Sequence, residues 1–443
     1  MKHKKKNRSK ISKRSHNFLT KLVPTPKPGV RHIFIMRPIS NSSSCNTLID
    51  LNLENYKSIS ADGSEVHDIE FVKTELLLPQ DNFVEESEDE SPQYLVNMDD
   101  GDNHLYLPFS ATGTPHVPID VYLRGIPDII ESADNVLAQN PRVFKLDGKG
   151  IDSSEKKILN VLQGEMAHAV PEQCDVMVSD DATTCHIVAL RSYRDLNNKC
   201  SDIFASLTHI DDAHYEKCIR QMFLTHQKYY KEGFMNGDSR IKLDIHVMGG
   251  FDDQDGTSRE ISESLISLFA TIAKELKDMF KITIQTCAIT SINDNGCCAP
   301  IGRGFGIELE TGVVFLAEVE NSISGPAVAL RCARGWTAND GVHTPSLRIV
   351  HDVNKKHDGL IVVQPFKFEA FQDMDLLMNL PDDLMLQYTS TSPDVEKDNY
   401  CDNVRSTLRF LLNEKWRDYF GSKCDKPLVF RRSVKNVNEW QRI

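Results

Sequence analysis

A cysteine that closes a polar turn and opens an apolar run carries the clearest chemistry in this sequence. Residues 178–191 read V-S-D-D-A-T-T-C-H-I-V-A-L-R, with Cys185 just ahead of the strand-like stretch 186–190. Amide hydrolysis by a thiol needs a nucleophile at the edge of an element, open to substrate on one side, with backbone N–H groups near enough to hold an oxyanion. The 183–185 turn can offer both. A base is also needed, and histidine is the most frequent one. His209, in F-A-S-L-T-H-I-D (204–211), ends a second short apolar run. If the two runs pair as an antiparallel hairpin, with R-S-Y-R-D-L-N-N-K-C-S-D as a longer than usual connection, Cys185 and His209 meet. His186 adjoins Cys185 and so points to the other face of the strand, which makes it a poor base. On residue type alone the plain readings stand beside these: a cysteine before a strand is more often a buried small side chain, and Asp180 and Asp181 are residues that favour turns.

The elements that must position these groups follow from periodicity. Residues 142–146, 174–178, 186–190, 281–289, 305–309, 313–319, 347–353, 360–366 and 428–430 read as strands, as does V-P-I-D-V-Y-L (117–123). Residues 242–248 alternate, with Leu243, Ile245 and Val247 on one face and His246 on the other, where a structural role is expected. Helices are predicted over 214–231 and 258–280, the second from Ile261, Leu265, Phe269, Ile272, Leu276 and Phe280 at three-to-four spacing, and a third over 403–419. Many strands, few helices and no regular βαβ alternation predict an α+β fold of mostly antiparallel sheets with a few packed helices.

Charge is unevenly placed. The chain has 443 residues and a net charge of −13. Residues 1–49 hold 12 Lys/Arg and no Asp/Glu, whereas residues 50–100 hold 15 Asp/Glu and two Lys. A basic arm followed by an acidic stretch reads as disordered over 1–105, with a catalytic domain over 106–435. K-H-K-K-K-N-R-S-K-I-S-K-R (2–14) reads either as a nuclear-localisation or nucleic-acid patch or, more plainly, as a solvated tail with no dedicated partner, and the acidic body makes nucleic acid an unexpected partner for the domain itself. No apolar run approaches the ~18–20 residues of a membrane span. The 11 cysteines contain no C-x-x-C pair and no zinc-ligand spacing, which points to a reducing compartment and no metal site. Cys297 and Cys298 read as loop thiols.

S-D-D-A-T-T-C-H-I-V (179–188) resembles the signature of the protein N-terminal asparagine amidohydrolase family. Further segments of that family follow the same order: G-E-M-A-H (164–168) before it, then L-T-H (207–209), L-D-I-H-V-M-G-G-F (243–251), I-N-D (292–294), G-I (306–307), L-R-C-A-R (330–334), S-T-S-P (390–393) and V-R-S-T-L-R-F-L (404–411). The resemblance spans roughly residues 115–432. It implies removal of the side-chain amide from an N-terminal asparagine, giving aspartate and ammonia, with Cys185 as nucleophile and neither cofactor nor metal. The aspartate could then be arginylated and the protein degraded through ubiquitin. A more remote resemblance to bacterial chemoreceptor glutamine deamidases and a toxin deamidase implies His209 as the partner of Cys185 and Ser179 as the hydroxyl that orients it. The substrate α-ammonium calls for acidic groups. Asp180, Asp181 and Glu165 are the candidates because they fall in matched segments, and Thr184 lines the same turn. Expected partners are proteins or peptides with N-terminal Asn, and the expected compartment is the cytoplasm, with or without the nucleus. Two alternatives stay open: a non-catalytic interaction protein of the same fold, and a deamidase of another substrate such as internal glutamine. About 115 residues precede the Pro118 segment, near which the family's chains begin.

Overall fold

The computed structural model describes residues 93–97, 104–107, 126–146, 156–196, 199–210, 215–233, 241–254, 256–296, 298–337, 348–353 and 359–443. The basic arm, most of the acidic stretch, Cys297 and the strand predicted over 117–123 lie outside the described residues. Two short strands, β1 (Gln93–Asn97) and β2 (His104–Leu107), pair antiparallel across the end of the stretch read as disordered.

From there the elements run α1 (Pro127–Leu137), β3 (Arg142–Phe144), β4 (Ile158–Asn160), β5 (Met166–Ala169), β6 (Val176–Ala182), β7 (His186–Leu196), β8 (Lys199–Ile210), α2 (Tyr215–Gly233), β9 (Ile241–Gly249), α3 (Thr257–Glu275), β10 (Phe280–Ile289), β11 (Arg303–Glu308) and β12 (Val314–Val319). The C-terminal part adds α4 (Val328–Ala333), β13 (Ile349–His351), β14 (Leu360–Val363), α5 (Met374–Met378), α6 (Asp382–Thr389), α7 (Tyr400–Asn413), α8 (Trp416–Phe420), β15 (Leu428–Arg432) and β16 (Trp440–Arg442). The fold is α+β, as the many strands, few helices and lack of regular βαβ alternation predicted.

Two sheets carry the site. One has nine strands in the order β10-β9-β7-β8-β5-β13-β14-β15-β16, the other five in the order β3-β12-β11-β6-β4. They are mixed rather than mostly antiparallel, because β9/β10, β5/β13, β3/β12 and β4/β6 pair in parallel. Parallel neighbours need a crossover. For β9 and β10 it is α3; for β4 and β6 the chain leaves to form β5 in the other sheet and returns.

The inner faces of the sheets meet in one core. Leu159, Met177, Phe305 and Ile307 of the smaller sheet face Ile187, Ala189, Leu207 and Met248 of the larger. The opposite face of the larger sheet carries Val188, Leu190, Leu243, Ile245 and Val247, and it is covered by Ile219, Met222 and Phe223 of α2 and Leu265, Ile266 and Phe269 of α3. Strict period-two alternation therefore assigns each side chain of β7 and β9 to a layer, and burying each large one stabilises the fold by about 1.5–3 kcal/mol.

Three boundaries differ from the sequence reading. Helix α3 stops at Glu275, and Phe280 opens β10 because the N–H groups of Met279 and Phe280 turn back to Leu276 O. The helix predicted over 403–419 divides into α7 and α8 because Lys415 is extended. The long connection expected between residues 191 and 202 is itself mostly strand. Arg191 sends its guanidinium to Leu309 O and Glu310 O (both 2.8 Å), and Ser192 Oγ donates to Phe204 O, so these polar side chains find partners while the ladder continues.

Candidate active site

Cys185 stands one residue before β7, and the β7–β8 register sets Ile187 opposite His209. Residues two apart share a strand face, so Cys185 and His209 lie on the same inner face, one diagonal step apart at roughly 7–8 Å between backbones and less between side chains. Cys185 is half-buried against the core between the sheets. The hairpin inferred from the sequence has this pairing, with a shorter connection.

His209 is buried, at 2% exposure, and its ring is held from the opposite sheet. Nδ1 lies 2.9 Å from Ser179 Oγ on β6. The Ser179 hydroxyl donates to Val161 O at 2.6 Å, so its oxygen can only accept, and the proton of the neutral ring belongs on Nδ1. Nε2 is left as a bare lone pair, buried and without a hydrogen-bond partner. Burial pulls the His209 pKa down to about 4. At neutral pH the ring is therefore an uncharged acceptor on the face it shares with Cys185, in the tautomer a general base requires.

His186 lies on the other face, as alternation requires. Its Nε2 is 2.7 Å from Ser262 Oγ of α3, and burial, with the His209 charge as a lesser cause, lowers its pKa to about 3. His246 is buried on the inner face, 3.2 Å from Thr286 Oγ1.

The turn that presents Cys185 is held by a chain of close approaches. Gly250 N donates to Cys185 O at 2.8 Å. Gly249 has φ +120°, and a Cβ there would sit 2.3 Å from Cys185 O; on Gly250 it would strike the His186 ring at 2.7 Å. Only glycine fits at these two positions. Asn293 Nδ2 donates to Gly249 O and Gly250 O (3.1 Å each) and to Ala288 O (2.9 Å), while Arg303 Nε donates to Asn293 Oδ1 at 3.0 Å. Gly249, Gly250 and Asn293 thus form the seat of the Cys185 carbonyl.

The acidic candidates have separate fates. Glu165 is buried at 2% exposure, and Arg331 grips its carboxylate in two bonds of 2.9 and 2.6 Å, so that charge is committed inside the fold. Its backbone O accepts from His209 N at 3.1 Å. Asp180 Oδ2 accepts from Val319 N at 2.6 Å and from Lys397 Nζ at 2.5 Å. Asp181 is 53% exposed, at φ +60°, with Lys397 Nζ 2.9 Å away. Desolvation and the neighbouring Asp180 push its carboxyl up, with Lys397 opposing. Thr184 Oγ1 lies 3.2 Å from Thr391 Oγ1, which brings the segment between α6 and α7 onto the Cys185 turn. Glu396 in that segment accepts from Ser390 Oγ, and desolvation, then Asp181, raises its pKa.

Residues 149–442, well over half of the chain, match the family described as protein N-terminal asparagine amidohydrolase. The chain belongs to that amidohydrolase family. It is similar to the Homo sapiens protein N-terminal asparagine amidohydrolase, 24% identical over 320 residues that cover 71% of this chain and 94% of the human protein. The Mus musculus relative is 25% identical over 288 residues, covering 65% and 84%, and the Arabidopsis thaliana relative 23% over 324 residues, covering 70% and 88%.

The segments read as shared with the amidohydrolase family are far apart in sequence, and several converge here: 164–168, 179–188, 207–209, 249–251, 292–294, 330–334 and 390–393. Sequence reasoning passed over Gln163, Asn293, Arg331, Thr391, Glu396 and Lys397. Four of these lie inside or beside matched segments, and the position was the available signal. Gln163 Nε2 lies 3.6 Å from Cys185 Sγ.

Proposed function

We propose that this amidohydrolase hydrolyses the side-chain amide of an N-terminal asparagine to aspartate and ammonia, through a thioester on Cys185. The observation that carries the reading is the bond chain from His209 Nδ1 through Ser179 Oγ to Val161 O, which leaves Nε2 bare on the Cys185 face.

The steps follow from that protonation state. The Cys185 thiol gives its proton to His209 Nε2 as sulfur attacks the side-chain carbonyl carbon. A C–S bond forms and the C=O π pair moves to oxygen. Backbone N–H groups of the 183–185 turn face that oxyanion. When the C=O bond re-forms, the C–N bond breaks, and the imidazolium supplies the proton that lets nitrogen leave as ammonia. Water, deprotonated by the same ring, then attacks the thioester and frees aspartate and the thiol. Burial makes a standing charge on His209 costly, so the ring rests neutral and charges only during attack.

The substrate's α-ammonium is taken by Asp181, with Asp180 fixing the irregularity of β6 between Ser179 and Ala182 that presents it and Thr184 lining the turn. Lys397 already places an ammonium on both carboxylates. Glu165 serves as scaffold through Arg331 and through the backbone of His209. The N-terminal aspartate formed is the substrate class for arginyl transfer and ubiquitin-dependent degradation. The setting is a reducing compartment, the cytoplasm with or without the nucleus, where a free thiol persists.

Ammonia release from three peptides that differ only at residue 1 tests this reading. Asn-starting peptide is expected to be turned over. Acetyl-Asn should fall to background, because it lacks the ammonium. Gln should lose at least about 10–200-fold, since one extra methylene displaces the carbonyl. Equal rates on Asn and acetyl-Asn contradict the reading in favour of an internal deamidase, and no release from any peptide favours a binding protein.

A further inference from the structure

Gln163 occupies a turn that no part of the mechanism above uses. Glu165 N donates to Leu162 O at 3.0 Å, which closes a tight turn over residues 162–165 with Gly164 at φ +75°. The turn is tied to the base on both sides. Gly164 N donates to His209 O at 2.9 Å, and His209 N donates to Glu165 O at 3.1 Å. Beneath it, Leu162 N donates to Glu165 Oε2, and the same carboxylate is clamped by Arg331. This much fastening holds a surface turn whose residue 163 is exposed. What it accomplishes is to aim one group: the Gln163 side-chain amide, whose nitrogen lies 3.6 Å from Cys185 Sγ, a normal N–H···S separation given the size of sulfur.

We infer that Gln163 is a catalytic residue, a neutral N–H donor to the oxyanion that forms when Cys185 attacks the asparagine side-chain amide. This rests on the amidohydrolase reading above. A donor should stand about 2.7–3.1 Å from the oxygen of the tetrahedral intermediate rather than from the ground-state carbonyl. That oxygen is one bond from the carbon joined to sulfur, so a donor already beside Sγ is beside the oxygen. A neutral amide also suits its neighbours. His209 must become an imidazolium during attack, and a lysine or arginine here would oppose that charge. A carboxylate here would repel the oxyanion. Gln163 and His209 share one backbone clamp, so the donor and the base keep their spacing to Cys185 together. When the intermediate collapses, the negative charge returns to the carbonyl π bond and the amide is left as it began, with no proton transferred.

The test compares wild type with Gln163→Ala and Gln163→Glu on the Asn-starting peptide, alongside the rate at which iodoacetamide alkylates Cys185. Alkylation uses the thiolate but forms no oxyanion, so it separates the two roles a donor near sulfur could have. Gln163→Ala is expected to lower kcat about 10²–10³-fold, with KM and alkylation rate each within about threefold and an unchanged thermal midpoint, since the side chain is exposed. Gln163→Glu should be at least as impaired. A Gln163→Ala variant that keeps more than a third of wild-type kcat overturns the assignment. So does one whose alkylation rate falls in step with kcat, which makes Gln163 a support of the thiolate instead. Absence of ammonia release from wild type in the same experiment overturns the amidohydrolase reading and this role with it, whereas active wild type with an unimpaired variant overturns this role alone.

Discussion

Replacing Cys185 by alanine is expected to lower ammonia release from an Asn-starting peptide by on the order of 10³-fold or more, because no other group replaces the nucleophile. The fold should survive. Cys185 is half-buried at the lip of the core, and what locks the turn is its backbone carbonyl on Gly250 N and the glycines that admit it. Truncation at such a position costs about 1 kcal/mol or less. His209→Ala should cost about 10²–10⁴-fold in kcat. Rates and thermal midpoints measured together decide the matter: an unfolded Cys185→Ala protein is uninformative about catalysis, but a folded one that keeps a tenth of the wild-type rate rules out a thiol mechanism.

The second large effect is on stability in mild acid. Among the described residues, six histidines are buried and held neutral by desolvation: His168, His209 and His351 are drawn down to about 4, His186 and His246 to about 3, and His226 well below its usual value. In the unfolded chain each titrates near 6.5. Between these limits the unfolded state binds more protons, so this contribution is fully present above about pH 6.5 and is lost as pH falls toward 4. Each histidine loses about 1 kcal/mol between pH 7 and 5.5, and the six together roughly 6 kcal/mol. Asp181, Asp244 and Glu396 act in the opposite sense, since burial makes each hold a proton more readily in the fold, and they offset part of it. Against a total of about 5–15 kcal/mol, thermal midpoints should drop by on the order of 10 °C over that range. A flat profile contradicts the neutral, buried state assigned to these rings, His209 included.

How much of this was readable beforehand differs by element. The strands of the larger sheet were legible because alternation is strict: Leu243, Ile245 and Val247 fell on one face and His246 on the other, and the structure keeps them there. The hairpin that brings His209 to Cys185 was legible for the same reason, though polar residues 191–195 disguised its length: Arg191 reaches Leu309 O and Glu310 O, while Ser192, Arg194 and Asp195 meet Phe204 O, Asp202 and Lys242 of neighbouring strands. Parallel pairing was not legible, because a strand's direction depends on where the chain goes between visits to a sheet. Nor was the commitment of Glu165. Its partner Arg331 lies 166 residues away, and nothing local to G-E-M-A-H announces it. Asn293 is similar: its importance comes from three carbonyls that only the fold assembles. Gln163 was hidden because it is exposed, polar and in a turn, where a glutamine ordinarily does nothing.

The central claim is that Cys185 carries the substrate as a thioester. Acid-quenching the protein during turnover of an Asn-starting peptide, followed by intact-mass and peptide mapping, tests it most directly. The account predicts a population of protein heavier by the peptide less one ammonia, mapped to Cys185, absent from Cys185→Ala and lost on brief treatment with hydroxylamine. Full turnover with no adduct on Cys185 at any quench time, or an adduct on another cysteine, contradicts it.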